Sequence, residues 1–173
     1  MPDQELNEAS VFVWSREREL VPVYDRLMAL GETTDCLEEI KELRNIHGEK
    51  MTDCTALLAA VGVEPPGNYL SLDTSGELDS LLPLIWSREN EALDRGWLRL
   101  DPHIHDESAR AILLRCSRRH SRQMHLLREI AKKCNITLII VNPPGPGPQP
   151  HPHPMPGPHP MPGPGPVAGA TEY

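Results

Sequence analysis

The segment Trp14-Ser15-Arg16-Glu17 returns 72 residues later as Trp86-Ser87-Arg88-Glu89. A second echo follows each copy, His47 with Met51 and then His120 with Met124, at an offset of 73 residues. Two helical hairpins of one ancestral pattern produce this spacing. The pattern restricts the chain to a pseudo-symmetric four-helix arrangement with one Glu and one His from each hairpin facing a shared interior. With 173 residues there is enough chain for one domain with a substantial core. Only 4% of residues are aromatic and strand signals are scarce, so the body is expected to be all-α.

The last thirty residues are a different material. Thirteen of the 19 prolines fall between Pro143 and Pro166, nearly every second position. Such a stretch forms neither helix nor sheet, and is expected to be extended or disordered. The sequence therefore divides into a helical bundle over 1–141 and a Pro/Gly/His/Met-rich tail over 142–173. A formal charge of −8 without a basic stripe argues against nucleic acid as a partner. Met1 to Asn7 carries no apolar run, and the run Leu138 to Val141 is too short for a bilayer. A soluble, cytoplasmic protein with no membrane partner is the expectation.

Four helices are predicted. The first runs from about Glu5 to Leu30, stops at Gly31, and is kinked or split at Pro22. The second begins at Thr33 or Thr34 and ends at Gly62. Thr74-Ser75-Gly76-Glu77 matches a capping box for the third, which runs to about Arg95. The fourth starts at Asp106 and ends with Lys132 and Lys133 at the negative end of its dipole. Ile136 to Val141 is expected to pack back on the bundle or pair with another copy.

Turning each helix by about 100° per residue gives its core face. Glu17 lies amid Val13, Leu20, Val21, Tyr24, Leu27 and Met28. Glu89 lies amid Leu78, Leu82, Ile85, Leu93 and Leu100. His47 and Lys50 share a face with Cys36, Ile40, Leu43, Cys54, Leu57 and Val61. His120 and Gln123 share one with Ile112, Leu113, Cys116, Leu127, Ile130 and Cys134. Both repeats thus point polar residues inward. The roughly 17 residues between the second and third helices allow a long crossover, which makes helices two and four antiparallel. Antiparallel neighbours at one level have a constant sum of residue numbers. Cys36 with Cys134, His47 with Gln123, Lys50 with His120, and Cys54 with Cys116 all sum to 170, so a polar quartet sits midway between two cysteine pairs.

Two helical hairpins joined by a crossover, with Glu17 and Glu89 on helices one and three, resemble the ferritin-like superfamily of ferritin, bacterioferritin and rubrerythrin. The resemblance spans about Glu5 to Lys133. It implies a ferritin-like four-helix bundle and a metal centre with one Glu from each first helix and a Glu-x-x-His from each second helix. Those latter positions read here as His47-x-x-Lys50 and His120-x-x-Gln123. The resemblance also implies association into a homodimer through outer faces.

Two readings of the buried set stand side by side. In one, Glu17, His47, Glu89 and His120 bind a divalent transition metal ion (iron, manganese, zinc or copper), with Met51 and Met124 one turn away. In the other, Lys50 pairs with Glu17 or Glu89, and the histidines and Gln123 complete a metal-free hydrogen-bonded network. The cysteines are small buried hydrophobes, or, given their register, disulfides or soft metal ligands. Trp14 and Trp86 are expected to anchor packing, and Arg16 and Arg88 to be solvated or to pair with Glu19 and Glu91. In the tail, His151, His153, His159, Met155 and Met161 form either a labile metal site or part of a stiff spacer for a partner left undefined. The functional expectation is a metal-binding protein, an oxidase or metal-handling factor. The alternative is a metal-free scaffold of a coat or shell, with the tail mediating assembly.

Overall fold

The computed structural model describes residues 4–140; the tail and Val141 lie outside that range. Four long helices carry the chain: α1 (Gln4–Gly31), α2 (Leu37–Ala60), α3 (Leu78–Ala92) and α4 (Glu107–Lys133). No strand occurs among the described residues, and none of their helices is long and apolar enough to cross a membrane. Cross-helix pairs give the directions. Trp14 reaches Thr55 and Asp25 reaches Arg44, so α1 and α2 are antiparallel. Arg16 reaches Glu91 and Arg88 approaches Glu19, so α1 and α3 are antiparallel too. Glu49 with Arg119 and Glu42 with Arg122 set α2 against α4 in the same sense. The bundle is therefore up–down–down–up, and the stretch 61–77 is the long crossover.

That crossover is pinned to the body. The Tyr69 ring stands edge-on to Trp14 at 6.4 Å and beneath the Arg18 guanidinium at 4.8 Å, while Leu72 joins the core.

Helix ends follow local chemistry, and three of them correct the sequence expectation. Pro22 neither splits nor ends α1; it sits on the exposed face, and burial of Leu20, Val23, Tyr24 and Leu27 around it outweighs one missing ladder bond. Helix α2 starts at Leu37, later than Thr33 or Thr34, because the Thr34 hydroxyl accepts from the Cys36 amide and holds a turn there. Thr74 to Glu77 form no capping box. Asp73 instead accepts from the Ser75 amide, and Glu77 becomes the N-cap through its backbone alone. The third helix does not stop near Arg95 either. It passes through a π turn (Leu93–Trp97), a short α segment (Leu98–Leu100) and a 3₁₀ turn (Asp101–His103).

Gly96 explains that continuation. Its φ is not positive, so it does not cap the helix; it lets α3 approach α1 closely instead. A Cβ there would overlap Val13 Cγ2 and lie 3.3 Å from Phe12 Cδ1. Gly96→Ala is expected to cost about 1–3 kcal/mol in urea denaturation, since the fully buried Val13 cannot yield without moving α1. A neutral Gly96→Ala would mean that the π turn is not packed as described.

The other ends match expectation. Gly62 adopts φ 73°, and the Val63 and Gly62 amides donate to the Leu58 and Ala59 carbonyls, closing α2 in a Schellman motif. Asp106 caps α4 by accepting from the Ala109 amide at 2.8 Å. Asn135 at φ 53° closes α4 in the same manner, with Ile136 donating to Ala131. The chain beyond then folds back: Ile136 and Leu138 pack on the core and the Ser87 hydroxyl donates to the Ile139 carbonyl.

Apolar residues form two clusters, one toward each end of the bundle. Leu20, Leu27, Ile40, Leu43, Leu82, Ile85, Leu127 and Ile130 belong to one. Val13, Leu57, Leu58, Trp97, Leu100, Ile112, Leu113 and Cys116 belong to the other. Between them lies a layer that is almost wholly polar.

Candidate functional site

The layer takes three residues from each hairpin. Glu17 comes from the middle of α1 and Glu89 from the middle of α3. Lys50 and His47 come from α2, and Gln123 and His120 from α4. All six are buried, and Glu17, Lys50, Glu89 and Gln123 are fully so. The inward facing read from periodicity is therefore what the structure has.

Lys50 is the hub. Its Nζ lies 2.8 Å from Glu17 Oε1 and 2.5 Å from Glu89 Oε2, and it donates to Gln123 Oε1 at 2.7 Å. Lys50 and Gln123 occupy equivalent positions in the two repeats, so the pseudo-twofold relation sets an ammonium against a neutral amide. A lysine at both positions would place two charges in contact; a lysine and a glutamine satisfy each other. Each histidine sits with the Glu of its own hairpin: His47 Nδ1 is 3.3 Å from Glu17 Oε2, and His120 Nδ1 is 3.3 Å from Glu89 Oε2.

His47 Nε2 faces the Glu17 carbonyl at 3.0 Å. Gln123 Nε2 is 3.5 Å from His47 Nδ1, but its two hydrogens go to Tyr24 Oη at 2.5 Å and Glu89 Oε1 at 2.8 Å. His47 thus presents both ring nitrogens to oxygens. The Lys50 ammonium between the Glu17 and Glu89 carboxylates offsets much of the cost of burying these charges in an apolar interior.

Tyr24 is the site residue that periodicity assigned only to the core. Its hydroxyl donates to Glu89 Oε1 at 3.0 Å, and its ring stacks on His47 with centroids 4.1 Å apart. A tyrosine on a buried stripe needs a partner for its hydroxyl, and that was the available signal. Met51 and Met124 instead belong to the apolar clusters on either side. Glu49, Thr52, Arg122 and His125, the same spacing turned outward, are exposed.

The electrostatics follow from this geometry. Burial pushes the Glu89 carboxyl up, but Lys50, with His120 and His47 behind it, outweighs burial and holds the group well below the usual carboxylate range. Burial likewise pushes the Lys50 ammonium down, and Glu17 and Glu89 reverse that and hold it protonated beyond its ordinary range. Burial, then the Glu89 and Glu17 charges, raises the Tyr24 phenol, so it stays a donor.

The depressed Glu89 stabilises the fold above the unfolded-state value of about 4.3, and loses that contribution as pH falls. The raised Lys50 stabilises it below about 10.4 and loses its contribution only above that. The stability gap between the parent protein and Glu89→Gln is therefore expected to stay flat from about pH 5 to 10. It should narrow by roughly 1–2 kcal/mol at about pH 3. An unchanged gap at that pH in urea denaturation would contradict the ion pair.

Donor atoms of Glu17, His47 and Glu89 lie within 4.8 Å of one another, while His120 touches Glu89 but stands outside that group. Taken alone, the three could hold a metal ion. The Lys50 ammonium, however, contacts both carboxylates at hydrogen-bonding distance and stands where a bridging cation would go. A divalent ion and a charged lysine do not share that position, so a metal ion held by Glu17, His47 and Glu89 would have to displace the Lys50 ammonium.

The repeats carry a second symmetric arrangement, in which Arg88 and Glu19 are buried and Arg16 and Glu91 half-buried. Arg16 pairs with Glu19 at 2.7 Å and with Glu91 at 3.3 Å; Arg88 pairs with Glu91 at 2.9 Å and approaches Glu19 at 3.9 Å. Trp14 donates to Thr55 of α2, and Trp86 packs on the core beneath Arg128 of α4. The Trp-Ser-Arg-Glu motif is thus a joint between helices.

Comparison with protein-family models, curated proteins and solved structures found no match for this chain.

Proposed function

We propose that this chain is a ferritin-like bundle in which a lysine stands in for the metal, and that it acts as a non-enzymatic scaffold of an assembly such as a coat or shell. The observation that carries the reading is the Lys50 Nζ held between Glu17 and Glu89 at 2.8 and 2.5 Å. A Glu from α1 and from α3 facing His-x-x-Lys and His-x-x-Gln on α2 and α4, in an up–down–down–up order, supports the ferritin-like ancestry. A polar layer centred on Lys50 fixes which helices face each other, and its ammonium occupies the position between the carboxylates that oxygen or a substrate would need. The outer faces and the tail over 142–173 are left to mediate assembly, including a homodimer, in a cytoplasmic setting.

The metal-binding reading, as an oxidase or metal-handling factor, keeps one observation in its favour: the close approach of the Glu17, His47 and Glu89 donors. Elemental analysis of the untagged protein, beside a chain ending at Val141, separates the two. Neither form is expected to retain stoichiometric iron, manganese, zinc or copper. Retention by the shortened chain would replace the scaffold reading with a metal centre in the bundle. Loss of metal together with the tail would assign it to His151, His153, His159, Met155 and Met161. Sedimentation of both forms tests the scaffold directly: the full chain is expected to assemble beyond a dimer, and the shortened chain to stop at the dimer.

A further inference from the structure

The cysteine register that brackets the polar layer sets two thiols against each other at each end, and the two ends differ in access. Cys36 Sγ lies 3.3 Å from Cys134 Sγ. Cys36 is the residue from which α2 starts, and Cys134 the residue at which α4 stops. Each is tied to its helix on one side only: the Cys36 carbonyl accepts from Ile40, and the Cys134 amide donates to Ile130. Cap residues of this kind can turn without breaking a helical ladder. Cys134 is half-buried, whereas Cys36 is 1% exposed. At the opposite end Cys54 and Cys116 lie in helix interiors, 2% and 0% exposed, with the Cys116 thiol turned to Asp53.

We propose that Cys36 and Cys134 are a redox-active dithiol, oxidised to a disulfide by exchange with a low-molecular-weight disulfide of the glutathione type. The Cys134 thiolate attacks one sulfur of the small disulfide; that S–S bond breaks, and the first small thiolate leaves and takes a proton. The Cys36 thiolate then attacks Cys134 Sγ in the mixed disulfide, and the second small thiol leaves. Two cysteine S–H bonds are exchanged for one protein S–S bond and two small thiols. The protein thus loses two electrons and the small disulfide gains two.

The sulfurs must approach by about 1.2 Å to reach bonding distance, a movement within reach of two cap residues. Burial, then the neighbouring Cys134, pushes the Cys36 thiol up to about 11. That keeps Cys36 from starting the reaction and suits it to the second, intramolecular step. The bond would join the start of α2 to the end of α4 across 98 residues of chain, which restricts the unfolded state strongly.

The test uses the full chain incubated with oxidised glutathione, then alkylated under denaturing conditions, weighed intact and mapped by peptide. The expected product has lost two alkylatable thiols, contains a Cys36–Cys134 cross-linked peptide, and melts higher by roughly 5–15 °C. Cys36→Ser should trap one glutathione on Cys134, because the resolving thiol is gone. Four remaining thiols in the parent protein, separate adducts on Cys36 and Cys134, or a cross-link confined to Cys54 and Cys116 would each overturn the proposal. The parent map alone decides the pairing if the serine variant does not fold.

Discussion

Glu17→Ala combined with Glu89→Ala is expected to lower the unfolding free energy by about 3–5 kcal/mol or more at neutral pH. Both carboxylates are fully buried and both contact the Lys50 ammonium, which has no exposed surface of its own. Removing them leaves a buried cation with only the Gln123 carbonyl at 2.7 Å and His120 Nδ1 at 3.5 Å. Neither carries negative charge. The folded protein must then hold Lys50 neutral, so its folded-state pKa drops below the unfolded value. The unfolded chain then binds more protons, and stability rises with pH between about 7 and 10. Urea denaturation across that interval measures both effects. A cost under about 1 kcal/mol with no pH slope would mean that Lys50 is not the buried hub.

Lys50→Met should cost a similar amount, about 3–5 kcal/mol, with the opposite pH dependence. Glu17 and Glu89 are then two buried carboxylates on one cavity with only imidazoles, an amide and the Tyr24 hydroxyl to face them. Burial and mutual repulsion raise their folded-state pKa values above the unfolded ones. The folded state then binds more protons, and stability falls as pH rises from about 5 to 8. The vacated position should also become a cation site. Donor atoms of Glu17, His47 and Glu89 already lie within 4.8 Å of one another, so millimolar zinc or manganese is expected to raise the melting temperature of Lys50→Met. The parent protein should show no such rise, because its lysine holds the position. Equal metal-induced shifts in both would return the metal-binding reading to first place. A Lys50→Met protein as stable as its parent would sink the network.

The paired slopes make the two substitutions more informative together than separately. One variant leaves a cation unmatched and the other leaves anions unmatched, so stability must move in opposite directions with pH if the three groups share one charge balance. Unrelated packing damage would leave both slopes near that of the parent protein.

Much of this site was legible before any coordinates, because a helix repeats its facing every few residues and an internal repeat does so twice. Those two regularities put Glu17, His47, Lys50, Glu89, His120 and Gln123 inward. The crossover supplied the antiparallel sense of α2 and α4, and a constant sum of 170 then set their level. The contacts between Cys36 and Cys134, and between Lys50 and His120, are that arithmetic made physical. Caps set by the residue itself, the Asp106 carboxylate and the positive φ of Gly62, were equally readable.

What periodicity left open was decided by distances of a few tenths of an ångström across the bundle. A rotation angle says that Lys50 and the two carboxylates face inward, and does not say whether lysine or a metal ion stands between them. Only tertiary packing brings Nζ within 2.8 and 2.5 Å of both carboxylates and adds the Tyr24 hydroxyl from a turn assigned to the core. The same holds for Thr74 to Glu77, where a local capping pattern lost to the neighbouring Asp73, and for Gly96, whose role is the close approach of α1. Local sequence determined which residues belong to the interior and the order of the helices. The chemistry of the interior depends on which side chains meet, and that was determined by the packing of all four helices at once.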